Sequence, residues 1–262
     1  MTVSVFASGS GGNCLLLSMG GTHVLIDAGI SMRRTVSFLA QQGLTIQDLS
    51  GVLITHEHSD HISGLDMLLK HSSLSLFAPR TVVNHLRGAV PACEGRCEVI
   101  PVGAPFELGG LTVTAFHTSH DTDESVGYRI NAGGESFAIA TDTGCVTEEI
   151  RSALLGAETV LLEANHDEDL LRFGPYPYGL KKRILSERGH LSNAACAVLA
   201  GELARRGTKR LILGHLSREN NTPQRALSAV EPAISGTGTA LWCAPVLGPL
   251  TISEQRIRDD GC

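Results

Sequence analysis

The sequence predicts a mixed α/β fold, an αββα sandwich of two mixed β-sheets lying face to face and flanked by helices. Three observations predict it. Apolar residues come in short runs broken by Gly, Asp, Ser or His, the pattern of buried strands rather than long helices. Stretches of helical period lie between those runs, so strands and helices alternate. The strands are also too many for one small sheet, which leaves two packed layers covered by helices.

In chain order, Thr2–Ala7, Cys14–Ser18, His23–Ile26, Val52–Thr55, Leu74–Ala78, Leu111–Phe116, Val126–Asn131 and Phe137–Ala140 read as strands, being β-branched or Leu-rich and bounded by turn residues. Helical spacing appears at Met32–Gln42, Leu65–His71 and Thr81–Arg87. Val160–Leu162 and Leu211–Leu213 read as buried strands of the second half. The clearest helix is NAACAVLAGELARR after Ser192: a Ser cap, an Ala/Leu-rich body, a basic last turn and a stop at Gly207.

The 262 residues, 42% apolar and 18% charged, suffice for one domain over residues 1–262 with a substantial core, and they exclude disorder. No stretch approaches the roughly 20 apolar residues needed to cross a bilayer. The first residues carry neither a basic region nor a long apolar one, so a soluble, cytoplasmic protein is expected. Seven cysteines with no CxxC pair make a poor disulfide or zinc-ribbon framework. They are expected to be reduced and mostly buried, with Cys93 and Cys97 the single plausible pair.

The net charge of −6 hides a split. Residues 1–150 carry 7 Lys/Arg against 15 Asp/Glu, whereas residues 172–225 carry 11 against 3. That basic segment suits either a solvated helical face or a phosphate-binding surface.

The strongest chemical signal is Thr55-His56-Glu57-His58-Ser59-Asp60-His61, directly after the apolar run Gly51–Ile54. In extended chain alternate side chains share a face, so His56, His58 and Asp60 project together, and His61 joins them as the chain turns into a helix. Such a cluster is costly to desolvate unless a cation holds it, and imidazole with carboxylate suits zinc, manganese or iron. The HExxH motif is a false match, because Asp60 stands where a His is required. One loop cannot complete two metal shells. Three later strand ends offer further donors: His117-Thr118-Ser119-His120-Asp121, Thr141-Asp142-Thr143-Gly144 and Gly214-His215; Asp27 is a fourth. The Gly-rich SGSGGN at 8–13 precedes a strand rather than a helix and lacks GK[ST], which makes it a turn between strands at the rim of the site, not a phosphate loop.

LIDAG, THEHSDH, SHD, TDTG and a final strand plus GH occur in this order across nearly the whole chain, and together they resemble the metallo-β-lactamase fold superfamily. SGSGGN, EANHD at 163–167, RILSERGHLSN at 183–193 and LGHLSREN at 213–220 more narrowly resemble the YycJ/WalJ-like branch, described as metal-dependent 5′ to 3′ DNA exonucleases. Related proteins usually carry Ser where this chain has Gly11. The resemblance implies two divalent ions, Mn2+ or Zn2+. His56, His58 and His120 would hold one, Asp60, His61 and His215 the other, and Asp142 would bridge them. Asp27 would orient a ligand of the motif loop. The same resemblance implies phosphodiester hydrolysis by a bridging hydroxide, with Asp60 and His190 as catalytic residues, His190 as general acid.

Glu163 and His166 are expected just outside the ligand set, His166 either beside Glu163 or on a substrate phosphate. Lys181, Lys182, Arg183 and Arg188 flank His190 and Arg218 follows His215, so these cations are expected to bind substrate, which favours the phosphate-binding reading of the basic segment. Tyr176 and Tyr178 are expected to pack within their loop, with base stacking the alternative. DNA is the expected partner and no membrane is expected. An RNA-processing nuclease and a thioester or lactone hydrolase are the alternatives on the same scaffold.

Overall fold

The computed structural model describes residues 1–253. Its strands are β1 (Thr2–Ala7), β2 (Cys14–Met19), β3 (Thr22–Ile26), β4 (Gly51–Leu53), β5 (Leu76–Ala78), β6 (Cys97–Val99), β7 (Pro105–Leu108), β8 (Leu111–His117), β9 (Val126–Ala132), β10 (Glu135–Ala140), β11 (Thr159–Glu163), β12 (Arg210–Gly214), β13 (Ala240–Cys243) and β14 (Leu250–Ser253). Its helices are α1 (Met32–Gln41), α2 (Ser59–Ile62), α3 (Leu65–Lys70), α4 (Arg80–Ala89), α5 (Glu148–Leu154), α6 (Glu168–Phe173), α7 (Tyr178–Ile184), α8 (Asn193–Arg205) and α9 (Pro223–Ile234). The strands form two seven-stranded mixed sheets, ordered β14-β1-β2-β3-β4-β5-β6 and β13-β12-β11-β10-β9-β8-β7. This is the two-layer arrangement the sequence predicts.

The period of two along each strand distributes the core over three interfaces. Val3, Val5, Leu15, Leu17, Val24 and Ile26 face Val113, Ile130, Phe137 and Ile212 between the sheets. Their neighbours Leu16 and Leu25 point the other way and pack with Leu39, Leu65, Leu68 and Leu86 of α1, α3 and α4. On the second sheet Val160, Leu162, Leu211 and Leu213 meet Ile150, Leu199, Leu203 and Val230 of α5, α8 and α9. Strands buried on both faces lose hydrophobic alternation, which is why they read as unbroken apolar runs.

Local chemistry starts the larger helices. Ser192 accepts from the backbone N–H of Ala195 ahead of α8. Thr147 and Thr222 do the same for α5 and α9, the latter with Pro223 in its first turn. The expected boundaries shift where tertiary bonds replace ladder bonds. Thus β4 ends at Leu53 because the Thr55 N–H donates to the Asp27 carboxylate instead of a strand. The six described cysteines are free, with Cys14, Cys93 and Cys196 buried; Cys93 and Cys97 are unbridged, and Cys262 lies outside the described residues.

The topology brings strand ends to one edge. Strands β10, β11 and β12 are parallel and in register, Ala140 beside Leu162 and Leu162 beside Leu213, so residues just past them emerge level. Strands β3 and β4 are also parallel, with Ile26 beside Leu53. Among the described residues the non-glycine positions with positive φ are Asp27 (60°), Asp142 (55°) and His215 (55°), one past each of three such ends.

Tyr128 locks this edge from within. Its fully buried hydroxyl donates to the Ile54 carbonyl at 2.5 Å, just before the histidine-rich loop. Tyr128→Phe should leave that carbonyl unsatisfied and cost about 1–3 kcal/mol, read as a lowered denaturant midpoint at unchanged m-value.

Candidate metal centre

Two groups of donors meet where the sheets open. Nitrogens of His56, His58 and His120 lie within 4.8 Å of one another, as do donors of Asp60, His61 and His215. Asp142 stands between them: Oδ2 is 3.3 Å from His61 Nε2, and Oδ1 is 3.5 Å from His215 Nε2 and 3.7 Å from His120 Nε2.

Four of these five imidazoles are aimed by a bond on the other side. The His61 Nδ1 sits 2.7 Å from Asp27 Oδ2. His56 Nδ1 meets the Thr55 hydroxyl at 3.1 Å, leaving Nε2 toward His58 Nδ1 at 3.0 Å. His120 Nδ1 meets the Gly189 carbonyl at 3.1 Å, and His215 Nδ1 meets Glu163 Oε1 at 3.0 Å. Fixing the outer nitrogen leaves the inner one free to coordinate. Gly29 lets the loop close this tightly, since a Cβ there would lie 1.6 Å from the Asp60 carbonyl oxygen.

The charges sort by neighbour. Burial pushes the pKa of His56 well below its ordinary value, and its histidine neighbours add to that. Burial likewise lowers His120. Burial also opposes charge on His61 and His215, but Asp27 and Asp142 outweigh it for His61, while Asp142, Asp60 and Glu163 lift His215 to about 10. Asp142 is buried, yet His215 and His61 hold its carboxyl well below the usual range.

The donors fit divalent metal. Asp142 Oδ2 and His215 Nε2 are buried without a hydrogen-bond partner, a costly condition that coordination relieves. A further convergence, Asp142 with Glu163, His190 and His215, is different in kind. Glu163 already accepts from the N–H groups of Thr143 and Leu191 and meets His190 Nδ1 at 2.7 Å and His215 Nδ1 at 3.0 Å. Its oxygens are filled, so it orients imidazoles rather than facing an ion. His190, backed by Glu163, has its pKa raised although burial opposes it, and lies with ring centroids 5.0 Å from His120 and 5.3 Å from His215.

Residues 22–216 match the Beta-lactamase superfamily domain. The chain belongs to that superfamily. This β-lactamase superfamily member is 37% identical over 238 residues to the exodeoxyribonuclease YycJ of Bacillus anthracis, covering 90% of this chain and 89% of that protein. It is 36% identical to the exodeoxyribonuclease WalJ of Streptococcus pneumoniae serotype 2, with 85% and 84% covered. Among solved structures, the metallo-beta-lactamase fold protein YhfI from Bacillus subtilis superposes with a TM-score of 0.75 over 96% of this chain and 99% of that one, at 16% identity. This superfamily member is a metal-dependent hydrolase.

Several of the expected site residues are engaged within the protein rather than open to substrate. His166 is 1% exposed and neither ring nitrogen has a hydrogen-bond partner, so it reaches no substrate phosphate and does not bond Glu163; burial pushes its pKa down to about 4. Arg188 is engaged by the protein: its guanidinium donates to the carbonyls of His120 (2.8 Å) and Thr122 (2.6 Å), clamping the loop that carries His120. Arg183 is paired with Asp121 at 2.5 Å. Lys181 donates to the Arg172 carbonyl at 2.9 Å, Lys182 is exposed, and the Arg218 guanidinium lies over Gly11, where a Cβ would come within 2.2 Å of it. Tyr178 is 81% exposed rather than packed in its loop.

Sequence reading missed Asn13, the last residue of the Gly-rich turn. Its amide nitrogen lies 3.0 Å from His61 Nε2 and 3.2 Å from Asp60 Oδ2. The motif signalled a turn, but its partners are 47 and 48 residues away in sequence.

These charges predict how metal-free protein responds to pH. A His raised from 6.5 to about 10, as at His215, stabilises the fold fully below pH 6.5 and loses that contribution as pH rises through 10. Glu163, lowered from 4.5 to about 2 against the cost of burial by His190 and His215, stabilises above 4.5 and loses that contribution as pH falls toward 2. Thermal melts of metal-free protein should therefore peak between these limits and decline on both sides.

Proposed function

We propose that this hydrolase is an exodeoxyribonuclease of the cytoplasm that removes nucleotides from DNA in the 5′ to 3′ direction. The observation that carries it is the position of Asp142 between two donor clusters, with His190 beside them and its pKa raised by Glu163 against the cost of burial. Similarity to the exodeoxyribonucleases over most of the chain supports the choice of substrate.

In this reading His56, His58 and His120 would hold one ion and Asp60, His61 and His215 a second, with Asp142 placed to serve both. Bound there, divalent metal, Mn2+ or Zn2+, would supply an acidified water and charge neutralisation for phosphodiester hydrolysis. Asp27 and Glu163 keep the imidazoles oriented. His190 holds its proton against Glu163 and delivers it to the leaving oxygen. Lys182 and Arg218, exposed and without ion partners among the described residues, meet the phosphate backbone, while Arg183 and Arg188 keep the His120 loop in place.

Metal-free protein restored with Mn2+ or Zn2+ should release mononucleotides from the 5′ ends of linear single- or double-stranded DNA labelled at either end, and His58→Ala should not. Release from the 3′ ends would overturn the direction. Absence of cleavage of DNA with both metals would overturn the nuclease reading, and turnover of RNA alone, or of a thioester or lactone instead, would name the replacement.

A further inference from the structure

The segment that carries the chain from Asp167 to His190 presents a surface that the reaction itself does not require. Phe173 is 85% exposed and Tyr178 81% exposed, the two most exposed large apolar side chains among the described residues. Helix α7 buries no residue. Arg172, Tyr178, Lys181, Lys182, Leu185 and Ser186 line a surface groove of about 480 Å³. Between Arg172 and Ser186 the chain carries four cations and no Asp or Glu; Arg172 pairs with Glu168 at 3.4 Å and Arg183 with Asp121 at 2.5 Å, which leaves Lys181 and Lys182 without an ion partner among the described residues. Exposed rings cost solubility, and the adjacent charges of Lys181 and Lys182 repel one another with no counter-ion beside them, so the strip calls for a ligand that offers both anionic charge and flat apolar faces.

The strip is anchored to the candidate metal centre at three points. Arg183 pairs with Asp121, the residue after His120. The His190 N–H donates to the carbonyl of Ile184, the last residue of α7, at 3.0 Å. Ser186 and Glu187 press on Gly144, where a Cβ would lie 2.3 Å from the Ser186 carbonyl oxygen. These contacts hold the strip in a fixed relation to His190 and the His120 loop.

We infer that the α6–α7 strip is a binding track for unpaired nucleic-acid strand, in which Phe173 and Tyr178 stack on bases while Lys181 and Lys182 neutralise the backbone. The inference rests on the nuclease reading and deepens it by naming the form of substrate. In a duplex the base faces are already stacked on one another, so exposed rings contribute only where the strand is open. Stacking on aromatic side chains is indifferent to sequence, and it is paired here with backbone charge as in other single-strand grooves. The charge and the rings together favour a polynucleotide over a small anion, which would use the lysines alone.

The test is binding without turnover. Fluorescence anisotropy in EDTA measures affinity of the full chain for a labelled unpaired oligonucleotide and for a blunt duplex, across a salt series. Phe173→Ala/Tyr178→Ala should weaken single-strand binding by about fivefold or more per ring, with little change for duplex and none in salt slope. Lys181→Gln/Lys182→Gln should flatten the single-strand salt slope by roughly 1.4. Arg33→Gln/Arg34→Gln on α1 should do neither. Far-ultraviolet melts identify variants that fail to fold, and Phe173→Leu/Tyr178→Leu, which retains apolar bulk without a stacking face, then carries the comparison.

Equal loss on duplex and single strand, equal flattening by the α1 pair, or wild-type affinity in the aromatic variants would overturn the track. So would binding of the aromatic strip to vesicles of anionic phospholipid in preference to oligonucleotide. Turnover of a chromogenic phosphodiester by metal-restored wild-type protein separates the two failures. Turnover without strand binding removes the track alone, and absence of both removes the nuclease reading with it.

Discussion

One buried carboxylate ties the second half of the site together. Glu163, at the end of β11 and fully buried, spans the loop of Asp142 through the Thr143 N–H, the loop of His190 through the Leu191 N–H, and the rings of His190 and His215 directly. A buried charge is tolerated only when its oxygens are satisfied, and here four donors from three other segments supply that. Each donor is fixed by the same contact that stabilises the anion. The loops between strands, which would otherwise vary independently, share one reference point.

Asp27 does the same for the first sheet. It accepts from the Thr55 N–H and hydroxyl and meets the His61 ring, so the histidine-rich loop is pinned to the neighbouring strand end. Each sheet thus ends in one orienting carboxylate, and Asp142 lies between the two halves. Registered parallel strands make this possible, because residues just past level strand ends arrive side by side without further adjustment.

Much of this was legible because it was written locally. The runs around Val24, Val160 and Leu211 announce strands buried on both faces, and the motif loop announces its donors by spacing alone. The Ser192 cap and the Gly207 stop frame α8. Strands β6, β7, β13 and β14 were not legible, since they are short edge or near-edge strands, partly exposed, and carry little hydrophobic signal. Helix α7 left no period to detect because it packs nothing away. Within the site, His190 and Glu163 were identifiable as residues, but their 27-residue separation hid the bond. Arg188 read as a free cation because composition cannot show that its guanidinium is spent on two carbonyls of a distant loop.

The left-handed backbone at Asp27, Asp142 and His215 carries one more consequence. An L-residue in that region costs of order 1 kcal/mol or more, and glycine would relieve it. At these three positions the relief would remove a side chain that orients or completes the donor clusters. A search for thermostable variants of this chain that relaxes unfavourable backbone should therefore converge on the same places that selection for activity protects. Stability and function compete at the strand ends, and the wild-type residues mark where that competition was settled in favour of function.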